Sequence, residues 1–243
     1  MRIKLLGAPV DALNMKETVN QIEGFLQRDG KSHFIITLNP EYLYRAQYNE
    51  ELMKLVHEAD LVTPDGTGIV WAAKMAGMPV PERVTGIDLM LSLIPKAAKA
   101  GWRVFLLGAA PGVAEEAAAN LKKQYPSLII AGTHDGYFKP HEEDSVVKEI
   151  AAAKPQLLFV ALGMPRQEQW IHKHKNKMGV PVVMGVGGSF DVIAGKVERV
   201  APWLQKMNLE WLGRLMKEPQ RWKRQLVLPK FAWLVIMKYK LKI

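Results

Sequence analysis

The sequence predicts a doubly wound α/β fold, a mostly parallel sheet with helices on both faces, and three observations lead there. Short β-rich runs alternate with segments of helical period along residues 1–195, the alternation that builds parallel sheets. Several of those runs are apolar throughout, as strands covered on two sides are. The runs end in glycine-containing turns that lead into helical segments, where open α/β sheets hold their ligands. The expected core is therefore Rossmann-like.

Taken in order, the elements justify themselves locally. Met1-Arg2-Ile3-Lys4-Leu5-Leu6 carries two cations, but Asp11 and Asn14 break the apolar stretch before a secretory core forms, so a cytoplasmic location is expected. Met15, Val19, Ile22 and Leu26 are spaced by four, three and four and share one helical face. Asn14 followed by Glu17 offers that helix a capping box. His33 to Leu38 reads as a strand, and Thr37-Leu38-Asn39-Pro40 closes it. Asn39 is either a plain helix cap before Pro40 or a polar group at the ligand edge.

A short strand then delivers Thr63-Pro64-Asp65-Gly66-Thr67-Gly68, ahead of a helix starting near Ile69. Asp65 is a solvated turn residue or N-cap on one reading. On the other it is a single carboxylate among small residues, open enough to serve as a general base. Arg83 lies in Pro79-Val80-Pro81-Glu82-Arg83-Val84-Thr85-Gly86, a loop stiffened by prolines; it pairs with a neighbouring acid or clamps a phosphate.

The later strands are expected at Trp102 to Leu107, Leu128 to Ala131, Leu157 to Leu162 and Val180 to Val186. Gly108 follows the first, Gly163 the third, and Gly187-Gly188-Ser189-Phe190-Asp191 the last. Each turn lets backbone approach a ligand and aims helix N–H groups at an anion. None matches a dinucleotide fingerprint or a Walker A loop. Singly they are ordinary strand-to-helix turns; three along one edge favour a nucleotide or sugar-nucleotide.

Charge is unevenly distributed. The chain has 243 residues and a formal net charge of +9. Residues 196–243 hold twelve Lys and Arg against three Asp and Glu, so the excess lies there and the rest balances. Trp203, Trp211, Trp222 and Trp233 alternate with Arg214, Arg221, Lys223, Arg224 and Lys230 in the same stretch. Trp203, Met207, Trp211 and Leu215 recur every four residues, as on the apolar face of a helix. That stripe suits a core-packing helix, an oligomer seam or, with its cations, an anionic membrane surface. The division expected is an α/β catalytic domain over 1–195 and a basic, Trp-rich amphipathic appendage over 196–243.

The run Leu226 to Met237 is too short to span a bilayer, which takes roughly 20 apolar residues. Its apolar content argues against a nucleic-acid partner. Off the membrane the exposed stripe would either self-associate into a homo-oligomer or remain mobile. With no cysteine, disulfides and thiol chemistry are excluded. The histidines are scattered, His172 and His174 point apart on a helix, and no Asp-x-Asp pair occurs, so no metal and no cofactor are expected.

Four ordered motifs carry a resemblance: Thr37-x-Asn39-Pro40; Asp60-Leu61-Val62-Thr63-Pro64-Asp65-Gly66-x-Gly68; Pro81-Glu82-Arg83-Val84-Thr85-Gly86; and Gly163-x-Pro165-x-Gln167-Glu168. Together they resemble the WecG/TagA/CpsF glycosyltransferase family over nearly the whole chain, most of all its wall teichoic acid branch. The resemblance implies inverting transfer of N-acetylmannosamine from UDP-N-acetylmannosamine to undecaprenyl-diphosphate-GlcNAc, with a β-1,4 linkage and no required metal. It implies Asp65 as the base, Thr37, Asn39 and Gln167 around the sugar, and Arg83 near phosphate. Arg214, Arg221 and Arg224 would reach the diphosphate from the appendage, and Tyr137 and Asp191 are the candidates for the uracil. With the basic, Trp-rich tail, the enzyme expected is one bound peripherally to the inner face of the cell membrane. Two rivals remain open: another UDP-sugar donor such as UDP-glucose or UDP-N-acetylmannosaminuronate, and a nucleotide-binding membrane scaffold without turnover.

Overall fold

The computed structural model describes residues 1–27, 30–200 and 226–241. Six parallel strands form the central sheet: β3 (His33–Leu38), β4 (Leu61–Pro64), β5 (Arg103–Gly108), β6 (Ile129–His134), β7 (Leu157–Ala161) and β8 (Val182–Gly185). Their spatial order is β4-β3-β8-β7-β5-β6. Side chains alternate between two cores, as a period of two requires. In β5, Phe105 and Leu107 enter one core while Val104 and Leu106 enter the other; in β7, Leu158 and Val160 oppose Leu157 and Phe159.

Helices α2 (Pro40–Ala46), α3 (Glu50–Glu58), α4 (Thr67–Met75), α7 (Glu143–Ala153) and α8 (Arg166–Met178) cover the first core. On the opposite face lie α1 (Met15–Leu26), α5 (Gly86–Ala100), α6 (Val113–Gln124) and the short α9 (Ser189–Ile193). The parallel α/β sheet read from the sequence is therefore present. So is the capping box of α1, in which the Asn14 side chain accepts from Glu17 N–H and the Glu17 side chain accepts from Asn14 N–H.

The helix after β5 packs on one face and the helix after β7 on the other, so a topological switch point falls between these adjacent strands. Open α/β sheets hold their ligands at the carboxyl edge of such a point.

A hairpin not foreseen from the sequence precedes the sheet. Strands β1 (Arg2–Leu5) and β2 (Ala8–Asp11) pair antiparallel through Leu6-Gly7, both at positive φ (47° and 88°). Hairpins favour that backbone, though Leu adopts it reluctantly. Long-range bonds hold it: Gln47 Nε2 donates to Leu6 O at 3.0 Å, and Leu6 N–H donates to the Tyr239 hydroxyl at 2.7 Å. The hairpin also blunts the edge of the sheet, because Asp11 Oδ2 accepts from the Val62 N–H of β4 at 2.8 Å. Arg2 locks Asp11 through two parallel bonds of 2.8 and 2.7 Å.

The C-terminal helix α10 (Val227–Tyr239) packs against α2 and α4. Pro229 falls in its first turn, where a missing N–H is harmless. Phe231 and Val235 are buried in the first core. The run Leu226 to Met237 thus lies on protein, and no helix among the described residues is long and apolar enough to cross a membrane. Residues 196–200, counted with the appendage by composition, bond to the body: Lys196 to Glu116 at 2.8 Å and Arg199 to Asp88 at 2.7 Å, with Val200 buried. Trp203, Trp211, Trp222 and the helical stripe expected there lie outside the described residues.

Candidate active site

Asp65 directly follows β4, and its N–H donates to Leu38 O at 2.9 Å, tying it to the end of β3. Its Oδ2 receives the Gly86 N–H at 3.4 Å. Gly86 opens α5, capped by Thr85, so the carboxylate stands at a helix N-terminus, where negative charge is favoured. The loop carrying Arg83 is stitched to the same place: Val84 N–H donates to Pro64 O at 3.0 Å and Thr63 Oγ1 to Val84 O at 3.1 Å. Arg83 and Asp65 are both half-buried.

Beside them stand the β3 residues. Thr37 Oγ1 donates to Gly185 O at 3.4 Å, across to β8. Asn39 does cap α2, its Oδ1 accepting Tyr42 N–H at 2.9 Å, which commits one lone pair of the amide oxygen to the backbone. The Pro40 ring packs so near Gly68 that a Cβ there would lie 2.6 Å from it. That close approach of α2 to α4 sets Asn39 and Asp65 side by side. Gln167, in the first turn of α8, is buried, with its Oε1 accepting Gly187 N–H at 3.1 Å and its Nε2 donating to Glu168 at 2.7 Å.

Glycine turns line the carboxyl edge at the switch point. Gly108 ends β5 at φ 125°, against the backbone of Ala161. Gly163 follows β7, and the Met164–Pro165 peptide after it is cis. The loop after β6 bends back over this edge, because Gly136 N–H donates to Ala109 O at 2.9 Å. Arg166 clamps that loop through Gly136 O at 2.9 Å and Phe138 O at 3.3 Å, and stacks over the Phe138 ring. Between those anchors Tyr137 is 74% exposed. Asp191, in the first turn of α9, is half-buried, and its carbonyl accepts from Lys196 and Val197 N–H.

The structure thus gathers Thr37, Asn39, Asp65, Arg83 and Gln167 at the ends of β4, β3 and β8, with Gly108, Gly163 and the Tyr137 loop at β5 and β7. Arg214, Arg221 and Arg224 lie outside the described residues. Glu168, Arg166 and Gly185 had no role assigned from the sequence. Glu168 was visible as an acid amid a turn motif, but its burial was not. Its pKa is pushed up to about 7 by burial, against the hydrogen bonds from Gln167 and its own N–H. Among the described residues no group of three or more His, Asp or Glu converges as metal ligands would. His172 meets Glu58, while His174 meets Glu143.

A topological switch point, glycine turns and the Asp65 carboxylate along the carboxyl edge are the arrangement of an α/β protein that holds its ligand at the strand ends. The chain belongs to the glycosyl transferase WecG/TagA/CpsF family, whose model matches residues 3–243. It is 40% identical over 218 residues to an N-acetylglucosaminyldiphosphoundecaprenol N-acetyl-beta-D-mannosaminyltransferase of Bacillus spizizenii (strain W23), covering 90% of this chain and 84% of that one. Relatives of the same name from Bacillus subtilis (strain 168) and Staphylococcus aureus (strain MW2) are 37% and 36% identical. They cover 86% and 92% of this chain and 80% and 86% of their own. Among solved structures, a substrate-binding periplasmic protein from Ralstonia solanacearum aligns with a TM-score of 0.31 and 16% identity over 76% of this chain and 53% of its own, too slight a likeness to bear on fold or function.

Proposed function

We propose that this enzyme transfers N-acetylmannosamine from UDP-N-acetylmannosamine to undecaprenyl-diphosphate-GlcNAc, forming a β-1,4 linkage with inversion at the anomeric carbon. One observation carries the reading: each of these relatives, matched over 86–92% of this chain, is named an N-acetylglucosaminyldiphosphoundecaprenol N-acetyl-beta-D-mannosaminyltransferase; the UDP donor, the 4-hydroxyl and the inversion are part of the proposal. The site geometry supports the roles. Asp65 takes the proton from the GlcNAc 4-hydroxyl as it attacks C1 of the donor sugar, and the C1–O bond to UDP breaks on the opposite side. The nucleophile needs one base. The departing diphosphate needs donors, assigned to Arg83, to the N-termini of α6 and α8, and to Arg214, Arg221 and Arg224. No cofactor or metal enters this scheme.

Thr37, Asn39 and Gln167 are placed around the N-acetylmannosamine, and Gly108, Gly163, Tyr137 and Asp191 along the UDP. The acceptor's lipid calls for a membrane, and the outer side of α10 suits one. Trp233 is 63% exposed there, Lys230, Lys238 and Lys240 share the helix or its end, and Tyr44 and Tyr48 of the α2 region line a groove with Trp233 and Met237. Aromatics and cations on one face fit the headgroup layer of an anionic bilayer. The working location is the inner face of the cell membrane; away from it, the same face is open to a second copy.

The test is release of UDP with purified protein, varying donor and acceptor separately. Release that requires both UDP-N-acetylmannosamine and a polyprenyl-diphosphate-GlcNAc is expected. Equal release with UDP-glucose, or none with any donor, would overturn the assignment.

A further inference from the structure

Glu168 is 3% exposed, at the N-terminal turn of α8. Among the described residues its Oε1 accepts from Gln167 Nε2 at 2.7 Å, while its Oε2 is buried without a hydrogen-bond partner. Burying a carboxyl so incompletely satisfied is unfavourable, and an unbranched apolar side chain would pack there more cheaply. Its presence is explained by what it holds. Gly187 N–H can only donate, so the Gln167 amide oxygen must face it, at 3.1 Å. The amide nitrogen must then face Glu168, which supplies the acceptor. Remove that acceptor and the amide loses one of the two bonds that set its rotation.

Gln167 in turn lies flat on β8. A Cβ on Gly185 would stand 2.6 Å from Gln167 Nε2. Gly185 O receives Thr37 Oγ1, and a Cβ on Gly86 would stand 3.3 Å from that hydroxyl oxygen. Gly86 N–H reaches Asp65. Glu168, Gln167, Gly185, Thr37, Gly86 and Asp65 therefore form one continuous floor under the carboxyl edge, and Glu168 is its buried end.

We propose that Glu168 is a positioning residue for the glycosyl transfer: its carboxyl oxygen fixes the Gln167 amide, and through it the Gly185–Gly187 turn beneath the donor sugar. The assignment of the reaction rests on the function proposed above. With Glu168 and Gly187 each engaged, Gln167 keeps one Nε2–H that can donate to a hydroxyl, acetyl or phosphate oxygen of the substrate.

The experiment compares the full-length wild type with Glu168→Gln, Glu168→Met, Gln167→Ala and the Glu168→Met/Gln167→Ala double variant, by kcat and KM for the donor. Glu168→Gln keeps an acceptor oxygen and should hold kcat/KM within about threefold, while Glu168→Met keeps length without the acceptor and should lose about 10- to 100-fold. In the Gln167→Ala background the Met change should cost less than about twofold, because its effect runs through that amide. A loss of undiminished size in that background, or near-normal kcat/KM for Glu168→Met, would overturn the proposal. The side-chain amide ¹⁵N–¹H resonance of Gln167, identified by its absence in Gln167→Ala, gives a readout apart from activity. It should move and exchange faster in Glu168→Met but not in Glu168→Gln; an unmoved resonance in Glu168→Met would also overturn the proposal. If wild type transfers no sugar, the functional reading falls, and this resonance alone decides the positioning claim.

Discussion

Raising the pH should destabilise this protein through Glu168, and replacing that residue with Gln should remove the effect. In the fold its carboxyl titrates at about 7, against 4.5 for the ordinary side chain, with burial as the main cause. Between those values the folded state holds a proton that the unfolded chain releases, so stability falls as pH rises. Below pH 4.5 both states are protonated and the penalty is absent; above about 7 it is complete. At about 1.4 kcal/mol per pH unit, the span corresponds to something on the order of 3 kcal/mol. Urea denaturation of wild type and Glu168→Gln at pH 5, 6, 7 and 8.5 isolates the term, because every other titrating group is common to both. The variant should lie within about 1 kcal/mol of wild type at pH 5 and exceed it by a further amount of about 2–3 kcal/mol at pH 8.5. A difference within about 0.5 kcal/mol across the whole range would refute the burial argument.

Other outcomes follow from the same geometry. Phe231→Ala empties a buried site between α10, α2 and α4. A loss of about 3–5 kcal/mol of packing should speed hydrogen exchange in α10 and at Leu6, whose N–H the Tyr239 hydroxyl accepts; unchanged exchange would contradict the docking. Gly185→Ala drives a Cβ into the Gln167 amide, and a shift of that side chain should lower kcat by about 10- to 100-fold with the fold retained by circular dichroism. Replacing Lys230, Lys238 and Lys240 with Ala should weaken flotation with anionic vesicles by about 1 kcal/mol per cation. Salt-insensitive flotation, or flotation unchanged by the triple variant, would count against the α10 surface as the contact.

Much of the fold was legible because its signals are local. The capping box at Asn14 and Glu17 involves residues three apart, and the β3 run is apolar enough to be read from six residues. The β1–β2 hairpin was not legible, because Leu6-Gly7 is a weak turn pair whose backbone is held by Gln47 and Tyr239, far away in sequence. Composition set a boundary at residue 195, yet Arg199 and Lys196 bond to acids on α5 and α6, a pairing no charge count reveals. At the site, the residue types were legible and their commitments were not. Asn39 and Gln167 read as sugar-binding amides, but each already spends its oxygen on backbone N–H groups. Glu168 in Gly163-x-Pro165-x-Gln167-Glu168 reads as one more acid; only three-dimensional burial singles it out.

Asp65→Asn keeps the shape and hydrogen-bond capacity of the side chain at the end of β4 while removing the base proposed to activate the acceptor hydroxyl. Single-turnover transfer from UDP-N-acetylmannosamine to a polyprenyl-diphosphate-GlcNAc should slow by about 10²- to 10⁴-fold, with donor affinity and melting behaviour close to wild type. Transfer by the folded variant at near wild-type rate would contradict the account.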